Sequence, residues 1–195
     1  MTENTLLDDA LSGSRCVISV MGDHAGEGVA AIFERKMADI QKATLTFWLM
    51  KSPKAKPTVV QNLCAGIPAH VLFVASATSG GARPTESDEK AVEYSADGVS
   101  WQILPAGLGP VTGRLDSRAY ALVFDALATV DVGMVDLWSY ADFTDPERPI
   151  KMILGCSTVC AVKKDMSSHP ESLKSRFRRI VAVGRMTAPY CVFVK

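Results

Sequence analysis

From Arg15 to Met21 the chain reads Arg-Cys-Val-Ile-Ser-Val-Met, a short apolar run rich in β-branched residues that predicts a buried strand. Gly22-Asp23-His24-Ala25-Gly26-Glu27-Gly28 breaks it. Val29, Ile32, Phe33, Met37 and Ile40 then recur near the helical period, which predicts a helix, with Arg35 and Asp39 spaced to pair on its wet face. Thr44 to Met50 is β-branched and aromatic and reads as a second strand that Ser52-Pro53 ends. Pro57 is placed to open a short helix through Cys64, with Gly66 to close it, and His70 to Ala75 reads as a third strand.

The pattern then becomes strand-rich. A short helix or turn is expected near Glu86–Val92, and a hairpin at Tyr94–Trp101, where Asp97-Gly98 suits a tight turn. Asp116 is a plausible N-cap for a helix through about Ala128, because Ala119, Leu122, Val123, Ala126 and Leu127 form a helical stripe. Strands are expected at Val135–Tyr140, Ile150–Leu154, Thr158–Val162, Arg179–Met186 and Tyr190–Val194. This is an α/β or α+β pattern: one domain over 14–195 with two to three helices and a mixed sheet able to curve into a partial barrel, behind a flexible leader at 1–13.

Composition narrows the classes. With 195 residues, 48% hydrophobic and 22% charged, the chain is long and apolar enough for one ordinary core. The 21 basic and 21 acidic residues cancel, which excludes a polycationic nucleic-acid packaging protein. The first residues are acidic and no apolar run approaches about 20 residues, so neither a secretory signal nor a membrane span is expected. Five cysteines, three within apolar runs, fit reduced buried thiols in a cytoplasmic protein better than a disulfide framework.

Several segments could carry chemistry. Gly22–Gly28 joins a strand to a helix, so Gly26 and Gly28 are candidate anion-binding positions, with Asp23 and His24 as candidate catalytic groups at the same edge. It matches neither a dinucleotide fingerprint nor a P-loop. Ser79-Gly80-Gly81-Ala82-Arg83-Pro84-Thr85 offers Gly80, Gly81 and Arg83 as a phosphate or carboxylate cradle, beside the first loop if the strands ahead of them are neighbours. Cys156 and Cys160 have a spacing unlike the usual zinc pairs, so no metal or other cofactor is expected, and Cys156 is a nucleophile only if a histidine reaches it. From Lys163 to Arg185 seven basic residues, Arg176 and Arg178 among them, face two acidic ones, a local excess of +5 that suits phosphate backbones. Arg176 and Arg178 flank Phe177, so both are expected to point outward, away from its face.

The stretch Phe47-Trp48-Leu49-Met50-Lys51-Ser52-Pro53 resembles the opening strand of EVE domains, relatives of YTH and PUA domains, and Val181–Met186 is similar to a barrel strand of that superfamily. The resemblance covers about a dozen residues. It lacks the Glu after Ser52, and 46 residues precede Phe47. It implies RNA or modified-base binding, with Trp48 or Trp101 as a stacking aromatic. Ser95-Ala96-Asp97-Gly98-Val99-Ser100-Trp101 is similar to the Asp-box of sialidase-like propellers, one residue short, which implies a hairpin. The leading functional expectation is binding of a phosphate-bearing ligand, a nucleotide or a nucleic acid. The alternatives are a small hydrolase or transferase using Asp23, His24 or Cys156, or a protein that works as a homo-oligomer.

Overall fold

The computed structural model describes residues 3–22, 27–50, 52–76, 89–105, 108, 111–112, 119–131, 133–150, 158–164 and 177–195. They contain helices α1 (Glu3–Ser12), α2 (Val29–Ala43) and α3 (Pro57–Leu63). The strands are β1 (Arg15–Met21), β2 (Thr46–Met50), β3 (Ala69–Ala75), β4 (Glu89–Lys90), β5 (Glu93–Ser95), β6 (Gln102–Ile103), β7 (Val111–Thr112), β8 (Tyr120–Thr129), β9 (Met134–Asp136), β10 (Tyr140–Asp142), β11 (Asp145–Pro149), β12 (Thr158–Lys163) and β13 (Phe177–Val194). Eleven of them form one mixed sheet, and β4 and β7 form a separate ribbon.

Across the sheet the order runs β11-β10-β12-β1-β3-β13, with β8 on the far side of β13 and β2 beyond β8. Among the described strands only β1 and β3 pair in parallel, Met21 opposite Ala75. The sheet is open rather than closed into a barrel. At one edge β11 carries Pro146 and Pro149, which blunt it.

Alternation along the strands divides the core. Val17, Val71, Phe73, Trp48, Leu122, Phe124 and Ala182 face α2 and α3, where Phe33 stacks on Trp48 at 5.5 Å and Phe73 sits 4.6 Å from the indole. Cys16, Ile18, Leu72, Val74 and Val183 face the other way, under Leu6 and Ala10 of α1. A third cluster gathers Phe47, Ala121, Val123 and Val192 beneath Ala91, Leu104 and Leu108. The chain therefore builds helices, sheet and a second cover of α1 with the 91–108 segment.

The first half follows the pattern of the chain closely. Pro57 opens α3, and Gly66 beyond its end takes φ +77°. The hairpin at 94–101 forms: β5 pairs with β6, Gly98 takes φ +79°, and Asp97 accepts from Val99 and Ser100 N–H at 2.8 and 2.7 Å. Five expectations are corrected. Within the leader expected at 1–13, Glu3–Ser12 form α1, which buries Leu6 and Ala10 against the sheet. The helix expected through Ala128 is β8 over Tyr120–Thr129. Its residues Ala121 to Phe124 are all buried because both faces of the strand are covered. An extra residue at Asp125, where the register with β13 slips, then shifts the alternation by one and imitates a helical stripe. Residues Val135–Tyr140 are broken by a 3-10 turn at Leu137–Ser139 capped by Asp136. Finally, Arg179–Met186 and Tyr190–Val194 belong to one strand, β13, rather than two. Within Glu86–Val92, residues 89–92 form β4 and an extended connection, not a helix. Of Ile150–Leu154, only Ile150 is described, buried in the core under α1.

Candidate functional site

Ligands of open α/β sheets bind outside the carboxyl ends of parallel strands. Here that edge is formed by the ends of β1 and β3, tied by Ser76 N–H donating to Met21 O at 2.8 Å. Antiparallel β12 begins opposite Ser19 at Thr158, two residues short of Met21, and β10 ends further back, Asp142 opposite Ala161 and Ala161 opposite Cys16, with Phe143 N–H donating to Cys160 O at 2.9 Å. Helix α2 starts at Gly28, whose φ of −72° is ordinary extended backbone; it has no side-chain cap and no acidic residue in its first turn. Glu27, just ahead, pairs with Arg35 through bonds of 2.7 and 3.1 Å. The expected Arg35–Asp39 pair is therefore replaced: Asp39 accepts from Thr46 Oγ at 2.9 Å and lies 3.8 Å from Lys36.

The anchor residues Gly22 and Ser76 are thus neighbours at the ends of β1 and β3, and Thr158 lies opposite Ser19, three residues before Gly22. The segments they anchor carry Asp23, His24, Gly26, Gly80, Gly81, Arg83 and Cys156; these residues, and Arg176, lie outside the described residues. Of the candidates, Gly28 and Arg178 can be placed.

A polar cluster that no local sequence pattern announced runs along β12, from Thr158 opposite Ser19 to Asp142 opposite Ala161. Ser19 and Thr158 hydroxyls meet at 2.9 Å, and Ser52 Oγ donates to Thr158 O at 2.5 Å while capping the 3-10 turn Pro53–Ala55. Two residues on, Lys54 Nζ sits 3.0 Å from Asp142 Oδ2. The Asp142 side chain is fully buried, and its Oδ1 accepts from Thr144 N–H and Oγ–H, both at 2.8 Å. Burial works against its charge, but Thr144 and Lys54 prevail and hold its carboxyl below the ordinary range. An acid inside the aromatic run Tyr140-Ala141-Asp142-Phe143 is the sequence signal that could have marked it.

On the opposite face a second polar row crosses three strands. His70 of β3 is opposite Arg185 of β13, and Arg185 Nε donates to the bulged Asp125 of β8 at 2.8 Å. His70 is 5% exposed, and burial pushes its imidazole below the ordinary value; Asp9 of α1 and Asp125 oppose that, and Arg185 reinforces it.

Arg178 pairs with Val135 of β9 and is only partly exposed, whereas Phe177 is 50% exposed and Arg179 is exposed. This reverses the expected orientation of Arg178: it shares the alternation of buried Ile180, and Phe177 faces out. Cys16, Cys64, Cys160 and Cys191 are free and buried. Burial pushes Cys16 and Cys64 up to about 12, and Cys160 and Cys191 well above the usual range, so none is a ready nucleophile. Trp48 is core, and Trp101 lies under Lys195 Nζ at 4.0 Å, so neither forms an open stacking cage. Among the described residues no group of His, Cys, Asp and Glu is arranged to hold a metal, and no helix is long and apolar enough to cross a membrane. Comparison of the chain with protein-family models, with curated proteins and with solved structures finds no match.

Proposed function

We propose that this protein binds a phosphate-bearing ligand, a nucleotide or the phosphates of a nucleic acid, at the carboxyl edge of β1 and β3. The observation that carries the reading is the parallel pairing of β1 with β3, Met21 opposite Ala75. It makes neighbours of the attachment points of both glycine-rich segments. The start of α2 follows the first of them, and a helix N-terminus favours anions.

Thermal unfolding with ATP, GTP, pyrophosphate and short RNA and DNA oligonucleotides tests the reading. A ligand present at 100 times its Kd should stabilise the protein by about 2.7 kcal/mol. Gly26→Val and Arg83→Ala should abolish that stabilisation and leave the ligand-free transition nearly unchanged. If no phosphate compound stabilises the wild type, the reading is wrong.

A further inference from the structure

We infer that α1 is a detachable cover on the sheet and that protonation of His70 beneath it releases it: on acidification the helix lifts and bares the apolar face formed by Leu72, Val74 and Val183. The inference is independent of the proposed ligand edge, because His70 is the second residue of β3 and lies at the opposite end of that strand from Ala75.

Helix α1 is seated on β3, β13 and β8. Its seat is small: Leu6 and Ala10 are buried, and Leu7 and Leu11 only partly. The chain leaves it through Gly13-Ser14, where Gly13 N–H and Ser12 Oγ both donate to Asp9 O at 3.1 Å, and Lys163 of β12 holds that end through Leu11 O and Ser14 O. A helix with few buried apolar contacts opens at a lower free energy than the strands below it, so it can leave while the sheet stays folded.

His70 alternates with Leu72 and Val74 on the face that α1 covers, and it is almost fully buried. The groups that face it come from four elements. Arg185 of β13 is its cross-strand partner and a fixed cation. Asp125 of β8 is taken by Arg185 at 2.8 Å, so those two together carry no net charge. Cys16 of β1 precedes Val17 as His70 precedes its partner Val71, and burial keeps that thiol neutral by pushing it up to about 12. From α1 itself comes Asp9, an exposed carboxylate whose pull solvent screens. An imidazolium in this place loses its water and gains little from its neighbours, and burial accordingly depresses its pKa. With α1 lifted, the ring is wet and takes the proton at the ordinary value near 6.5. The proton therefore binds the lifted state better than the seated one, and acid shifts the population toward it.

Hydrogen exchange of the full chain, read by mass spectrometry at pH 7.5 and 5.5 and corrected for the intrinsic rate, tests the inference. The opening equilibrium of the α1 amides should rise at pH 5.5, by no more than about tenfold because one proton is linked to it, while β1 and β3 keep their protection. His70→Gln should remove the rise. Asp9→Asn should enlarge it, because it removes the charge on α1 that favours a seated imidazolium; this variant decides the matter if His70→Gln does not fold. A wild type without the rise, an equal rise in His70→Gln, a smaller one in Asp9→Asn, or strands β1 and β3 opening in step with α1 would each overturn the inference.

Discussion

Lys36 lies on the buried stripe of α2, where a methionine or leucine would be expected, and is 5% exposed. Its ammonium donates to Phe47 O at 2.5 Å and sits 3.8 Å from Asp39. Burial outweighs the pull of Asp39 and lowers its pKa from 10.5 to about 8. An unfolded chain keeps that proton up to about 10.5, whereas the folded chain releases it near 8. Below pH 8 the folded state therefore carries the full penalty, roughly 3 kcal/mol at about 1.36 kcal/mol per pH unit of displacement. Between pH 8 and 10.5 unfolding takes up a proton, so stability rises with pH. Lys36→Met removes this dependence. It also removes the bond to Phe47 O, at a constant cost of about 1–3 kcal/mol. The quantity to measure is the difference in unfolding free energy between wild type and variant, from urea denaturation at pH 7, 8, 9 and 10. The wild type should gain about 2.5 kcal/mol on the variant from pH 7 to pH 10. The buried thiols, whose raised pKa values lower stability as pH climbs past 9, are common to both proteins and cancel. A difference that stays constant over this range would refute the assignment of a desolvated, proton-releasing Lys36.

Three further outcomes are expected. Because burial depresses the His70 pKa, the unfolded chain takes up that proton first, so stability should fall as pH drops below about 6.5; His70→Gln should flatten this limb of the curve, and an unchanged limb would show that His70 does not carry it. Leu6→Ala should cost about 2–4 kcal/mol in urea denaturation, since Leu6 is buried between α1 and the sheet; a cost under about 0.5 kcal/mol would mean that α1 does not pack there. Protein purified without reductant and then denatured should show five free thiols, and Cys16, Cys64, Cys160 and Cys191 should resist a thiol reagent in the native state; a disulfide, or rapid native labelling of any of these four, contradicts their burial.

The sequence by itself determined the elements whose signals are local. β1, α2, β2, α3, β3 and the 94–101 hairpin follow from apolar period, Pro57 at a helix start, and glycines where φ is positive. It also determined that Cys16, Cys64, Cys160 and Cys191 are core residues. It did not determine β8, because a strand covered on both faces and slipped by one residue at Asp125 presents a helical spacing that only its neighbours explain. Nor did it determine α1, whose few apolar residues matter only once the sheet offers them a surface. The candidate edge divides in the same way. The glycine-rich segments were legible, but their adjacency required the parallel pairing of β1 with β3, a contact across more than fifty residues. The polar cluster along β12 is equally non-local: Lys54 and Asp142 are separated by 88 positions, and Ser19 and Thr158 by 139. No local pattern encodes such pairs, because what brings them together is the strand order β3-β1-β12-β10, set by burying both faces of the sheet at once.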